Sequence, residues 1–174
     1  MYAGHLGIAL GGKGVRPEAP LWLLVLATQG CDWAEVIACV AAPASSSMWS
    51  HSIPAVLALG AALWLTAYLL TKDRGVALLV GAVTISHVVA DYVTGVKPTW
   101  PGGPMIGLDL YGHPLGDFAV ELVVVGVGWL IYRRSLPRAA AAQRLAWVLV
   151  VALAGLQLAG AAELALFPRG PKCR

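Results

Sequence analysis

Residues 76–93 read VALLVGAVTISHVVADYV, a run apolar and long enough to cross a bilayer that nevertheless carries His87 and Asp91. A spanning helix needs about 20 mostly apolar residues to cover a hydrocarbon core about 30 Å thick. Only a helix or a closed barrel satisfies its own backbone polar groups at that depth. An ionisable side chain in such a segment costs about 2.5–3.5 kcal/mol on insertion scales. Here two of them stand at i and i+4, one turn apart on a single helix face. The stretch reads as a transmembrane helix with a reason to bury charge.

Four other stretches have the same character. Residues 20–42 carry Asp32 and Glu35, 53–70 are cleanly apolar, 114–132 carry Asp117 and Glu121, and 145–167 carry Gln157 and Glu163. Residues 1–12 are too short to span and suit a half-helix or re-entrant segment packed against protein. The expected fold is therefore all-α: a polytopic membrane helix bundle of about five transmembrane helices, forming one membrane-embedded domain over residues 1–174. Composition agrees. Of 174 residues, 59% are hydrophobic and 12% charged, against about 25% charged in a typical soluble domain.

Breakers fall at the limits of these segments. Pro20 and Pro114 suit helix starts, and Pro43 with Ser45, Ser46 and Ser47 ends the first span. Lys72-Asp73-Arg74-Gly75 reads as a tight polar turn, and the Pro/Gly-rich loop from Lys97 to His113 is expected to be irregular. No internal repeat is visible. Lys13 and Arg16 follow the first apolar residues instead of preceding them, unlike a cleavable signal peptide, so insertion is expected to rely on the spans. Lys13, Arg16, Lys72, Arg74, Arg133, Arg134, Arg138 and Arg144 fall on one side of a five-span arrangement; Lys97, Arg169, Lys172 and Arg174 fall on the other. By the positive-inside rule the first group is cytoplasmic, so the loops before His51 and His113 face outward. The basic residues are scattered, with no stripe suited to nucleic acid, and none is expected as a partner.

Asp32, Glu35, His87, Asp91, Asp117 and Glu121 all lie in or near apolar helices. Unpartnered, they would cost on the order of 15 kcal/mol together, as much as a whole domain's stability. They must be paired, solvated in a cavity, or bound to metal. His113, Asp117 and Glu121 repeat the i, i+4 spacing over two turns, and His51, Asp91 and His113 share the outer ends of their helices. A mixed imidazole and carboxylate set suits zinc first, with manganese or iron as alternatives, and a divalent cation would offset several buried acids. Each residue also has a bland reading. His87 can be an interhelical hydrogen-bonding group, Asp117 can sit at a helix N-terminus, Glu35 and Glu163 can be packing partners, and Cys31 beside Asp32 can be a small hydrophobe. The set of Asp32, His51, His87 and Asp91 at compatible depths favours the metal.

These residues resemble those of the bacterial and archaeal metal-dependent inner-membrane hydrolases, related in pattern to zinc-dependent phospholipase C. That family opens with a His among small residues, here Gly4-His5-Leu6-Gly7. An acidic motif follows at the end of an apolar helix, here Gln29-Gly30-Cys31-Asp32 without the usual Pro. Next come a Ser-His-Ser step, Ser50-His51-Ser52, and Ser-His-x-x-x-Asp, Ser86 to Asp91; the basic residue often found before Ser-His-Ser is absent. A later Glu corresponds to Glu121, while His113 and Asp117 have no counterpart and rest on spacing.

The resemblance implies a phosphoesterase of a prokaryotic inner membrane, acting on a lipid or lipid-linked phosphate with its site toward the extracytoplasmic side. His5, Asp32, His51, His87 and Asp91 would hold one or more ions, with His113 and Asp117 as additional ligands. Asp32 or Glu121 would take a proton from the metal-activated water. Lys97 would meet the phosphate, and the Lys97–His113 loop would act as a lid. Two rival readings stay open: an intramembrane proton or metal-ion transporter, and a non-enzymatic subunit of a membrane complex. The Ala- and Gly-rich face of the last helix (Ala154, Gly155, Ala159, Gly160) would serve a homo-oligomer or partner contact.

Overall fold

The computed structural model describes residues 3–41 and 48–166. Its helices, in chain order, are α1 (Ala3–Val15), α2 (Leu21–Ala41), α3 (Ile53–Thr71), α4 (Arg74–Thr94), α5 (Pro114–Ser135) and α6 (Ala140–Leu166). The structure is 81% helical, and five of its six helices are long and apolar enough to span a membrane. The expected all-α polytopic bundle is what the chain forms. Residues 1–2, the first span's last residue 42, the Ser-rich loop at 43–47 and residue 167 lie outside the described residues.

Local chemistry sets the boundaries. Lys72 closes α3 in the left-handed region at φ 56°, its N–H donating to the Tyr68 carbonyl at 2.8 Å. Asp73 then caps α4, its Oδ1 accepting from the Gly75 and Val76 N–H groups at 2.7 and 3.2 Å. The turn expected over four residues is thus two, because Arg74 and Gly75 already belong to α4. Pro114 occupies the first position of α5, where its missing N–H costs nothing. α6 starts at Ala140, five residues before the expected Leu145, because the Ala139–Ala142 run is helix-favouring without being especially hydrophobic.

The loop after α4 departs from expectation. It folds into a two-stranded antiparallel ribbon, β1 (Lys97–Pro98) with β2 (Met105–Ile106). The Thr99 N–H donates to the Pro104 carbonyl at 3.0 Å, closing the Trp100–Gly103 turn. Thr99 in turn accepts from the Ile53 N–H at 3.0 Å, filling one of the open donors at the start of α3. The Pro and Gly residues make the hairpin's turn here instead of a structureless loop.

α1 lies beside α2 and packs most closely on α5. A Cβ on Gly7 would stand 2.7 Å from the Val125 Cα, and one on Gly14 2.6 Å from the Ile131 carbonyl carbon. Glycine at 7 and 14, two turns apart on one face, is what lets the backbones meet. At the end of the bundle near the α1–α2 turn, Ala9, Leu23, Leu24, Ala27, Leu63, Ala67, Val76 and Val80 form a dry core.

Candidate metal centre

The opposite half of the same helices is polar inside. α1 and α2 are antiparallel across a short turn that Lys13 ties down, donating to the carbonyls of Pro17 and, at 2.9 Å, Ala19. His5 lies ten residues back from the end of α1 and Asp32 eleven residues into α2. At 1.5 Å per residue both stand about 15–17 Å from that turn. The short N-terminal helix therefore delivers His5 to the depth of Asp32. His87 and Asp91 meet them from α4, and His51 arrives on the 3₁₀ turn Trp49–His51 that leads into α3.

Asp32, His51, His87 and Asp91 each offer one donor atom, and these atoms all lie within 4.8 Å of one another. His51 Nε2 stands 3.0 Å from Asp32 Oδ1 and 3.3 Å from Asp91 Oδ2. His87 Nε2 stands 3.3 Å from Asp91 Oδ2 and 3.9 Å from Asp32 Oδ1. Ligands about 2.0–2.1 Å from a tetrahedral zinc stand about 3.3 Å apart, so these separations suit a shared ion.

The hydrogen bonds behind the two imidazoles sharpen the case. His87 Nδ1–H donates to the Thr28 carbonyl at 2.8 Å, which in the neutral imidazole leaves the lone pair on Nε2. Ser50 Oγ–H donates to Glu35 Oε2 at 2.8 Å, so its oxygen accepts from His51 Nδ1–H at 3.0 Å, which in the neutral imidazole likewise leaves the lone pair on Nε2. Each Nε2 faces carboxylate oxygens, His51 Nε2 within hydrogen-bond distance of Asp32 Oδ1 at 3.0 Å, a contact that either a shared proton or a shared cation satisfies. One divalent cation, taken by neutral imidazoles, satisfies all four groups and leaves the set neutral. His87 Nε2 has no hydrogen-bond partner among the described residues. The donor set fits a borderline divalent metal.

His5 is fully buried and stacks on His87, ring centroids 4.1 Å apart. Its Nδ1 is 3.4 Å from Asp32 Oδ2 and its Nε2 3.7 Å from Asp91 Oδ1. It therefore meets the carboxylate oxygens that the other two histidines do not. Lys97 is buried, with Nζ 3.4 Å from Asp91 Oδ2.

The other proposed residues lie elsewhere. Glu121 is fully buried, its Oε2 accepting from the Gly4 N–H at 3.0 Å, where a carboxylate suits the start of α1. Asp117 is fully buried too, accepting from Gln157 Nε2 at 3.4 Å, while Gln157 Oε1 accepts from the Ala3 N–H at 3.4 Å. His113 is exposed at the start of α5. Cys31 is a buried free thiol outside the quartet. Tyr111, in the loop over the site, has its phenol pushed up by burial and by Asp91. The reading from sequence took Ser50 only as part of a motif and missed Thr28 altogether. Ser50 could have been found from its place beside a histidine; a backbone carbonyl leaves no residue signature.

Beside the quartet is a cavity of about 550 Å³ lined by Asp32, His51, Glu35, Lys97 and Tyr111 and by apolar groups of α1, α2 and α6. Asp32 is 31% exposed, whereas His51, His87 and Asp91 are nearly sealed, so the cavity reaches the quartet at Asp32 and the edge of His51.

The family model of the YdjM inner membrane protein matches residues 4–164, a span that contains the whole quartet and His5. The chain belongs to the YdjM inner membrane protein family and is a multi-pass membrane protein. No curated protein matches the chain, and no solved structure matches it.

Proposed function

We propose that this YdjM-family member is a membrane-embedded metal-dependent hydrolase, a phosphoesterase acting on a lipid or lipid-linked phosphate. The observation that carries the reading is the convergence of Asp32, His51, His87 and Asp91, whose donor atoms lie within 4.8 Å of one another, with the two imidazoles held from behind by Thr28 and by Ser50–Glu35. Asp32, His51, His87 and Asp91 would hold the ion, zinc first and manganese or iron next, with His5 against the far oxygens of the two carboxylates. A bound divalent ion supplies a nucleophilic water near neutral pH and polarises a phosphoryl oxygen.

The chain's own groups divide the remaining work. Asp32 and His51 are the quartet members on the cavity wall, and Asp32, the more exposed of the two, is the carboxylate placed to take a proton there. The Lys97 ammonium lines the same cavity and would meet a phosphate oxygen. Glu121, proposed from sequence as a second proton acceptor, is better explained as the acceptor that holds the start of α1 and so His5. Of the segment between α4 and α5, Lys97 and Tyr111 line the cavity. Among the described residues, Lys13, Arg16, Lys72, Arg74, Arg133, Arg134, Arg138 and Arg144 lie toward the other end and Lys97 at the site, which supports an extracytoplasmic site.

Transport is the weaker reading, since an ion crossing the bundle would have to pass the dry packing of Leu23, Leu24, Val76 and Val80. A purely structural role, with the imidazoles as proton-sharing partners of Asp32 and Asp91, leaves the cavity that opens on Asp32 unexplained. The test is phosphate release from a panel of lipid phosphates, with and without chelator, by the purified chain. Chelator-sensitive release is expected, lost in Asp32→Asn and weakened in Lys97→Ala. Absence of metal-dependent release on every member of the panel would count against the hydrolase.

A further inference from the structure

The cavity continues beyond its polar end. From Asp32, His51 and Lys97 its wall runs along Leu6 of α1, Val25 and Val36 of α2 and Leu156 of α6. Val25 lies seven residues from Asp32 along α2, about 10 Å farther from the outer loops. The slot thus descends from the charged groups toward the middle of the bilayer. Val36 and Leu156 are 61% and 49% exposed on the outside of the bundle. They line the cavity and face the lipid at once, so its mouth opens sideways between α2 and α6. Its volume of about 550 Å³ falls within the usual range for a small-molecule site, enough for a headgroup and part of a chain.

We infer that the gap between α2 and α6 is a lateral portal and tail slot for a single-phosphate amphiphile. The headgroup sits at Asp32, His51 and Lys97, and the first part of a hydrocarbon tail lies against Val25, Leu6 and Leu156 while the rest stays in the leaflet. Lys97 is the cation on a wall that also carries the Asp32 and Glu35 carboxylates, so the phosphate at the occupant's polar end would lie against Lys97 and the ion proposed at Asp32. The apolar wall fixes the other end. This rests on the proposed function for the headgroup, but the slot has its own readout.

The chain in phosphatidylcholine vesicles, doped with a phosphatidic acid carrying a photoactivatable diazirine near the top of one acyl chain, would be irradiated and the labelled peptides mapped. Label should concentrate on α2 between Val25 and Val36 and on α6 around Leu156, and unlabelled phosphatidic acid should compete it away. Leu156→Trp, which fills the slot, should cut that label by about tenfold, the effect of losing contact with about two methylene groups. Leu158→Trp, on the same helix but off the cavity wall, should not. Label spread evenly over lipid-facing residues such as Leu57, Leu65 and Leu69 of α3, or unchanged by Leu156→Trp, overturns the slot. Since no hydrolysis is measured, an inactive protein that labels as expected would refute the phosphoesterase and leave the slot standing.

Discussion

The inner face of α4 is one heptad-like stripe with two chemistries. Val76, Ala77, Val80 and Val83 fill its first half; Thr84, His87, Asp91 and Thr94 continue it in the second, and all are buried. Spacing and partners are alike, for α1 and α2 flank both halves. The purpose differs. Lipid tails are as apolar as Val or Leu, so the first half is held by close packing and not by escape from water. The second half buries charges that the bilayer penalises, and nothing about helix packing requires them. One half makes the bundle; the other uses it.

That contrast can be pressed from both sides. The largest effect is expected where backbones touch. Gly7→Leu with Gly14→Leu puts side chains where a Cβ alone already meets α5 backbone, and should cost more than about 3 kcal/mol. Thermal unfolding in detergent would show it, with metal lost only because the fold is. A small loss of stability there would mean that α1 does not dock on α5 as described.

Ser50→Ala should do the reverse. It removes the group that orients His51, and a lost outer-shell partner typically lowers metal affinity about 10- to 100-fold. The melting temperature of the metal-free protein should barely move. Competition against a chelating dye reads the affinity, and an unchanged value would mean that His51 does not ligate.

Glu121 joins the two halves by holding the start of α1. Glu121→Ala leaves the Gly4 N–H without its carboxylate and should cost about 1–2 kcal/mol, with some metal affinity lost as His5 shifts. Glu121→Gln keeps an acceptor and should recover most of both. If Glu121 instead takes a proton in the reaction, Gln would abolish turnover while leaving stability and metal binding intact. Val80→Ala should be mildest, about 1 kcal/mol from the small void alone, with metal content untouched.

Much of this was legible in the sequence. Hydropathy placed every spanning helix because lipid allows few alternatives to a long apolar run. Asp32, His51, His87 and Asp91 stood out because charge in such a run is costly, and the structure brings these four together. Three things were hidden. The continuation of His113-Asp117-Glu121 along one face suggested more ligands, but periodicity cannot say which neighbour a face meets. Gly7 and Gly14 looked like composition, although it is at them that α1 meets the α5 backbone. The carbonyl of Thr28, which sets the His87 tautomer, carries no mark at all.

The most direct measurement is the metal content of the purified chain by elemental mass spectrometry, beside a His87→Ala/Asp91→Ala variant. The account predicts a stoichiometric divalent metal in the wild type, zinc first, and none in a double variant that still shows the wild-type helical spectrum. A wild type that holds no metal after reconstitution with zinc, manganese and iron would contradict it; the facing imidazoles and carboxylates would then be proton-sharing pairs.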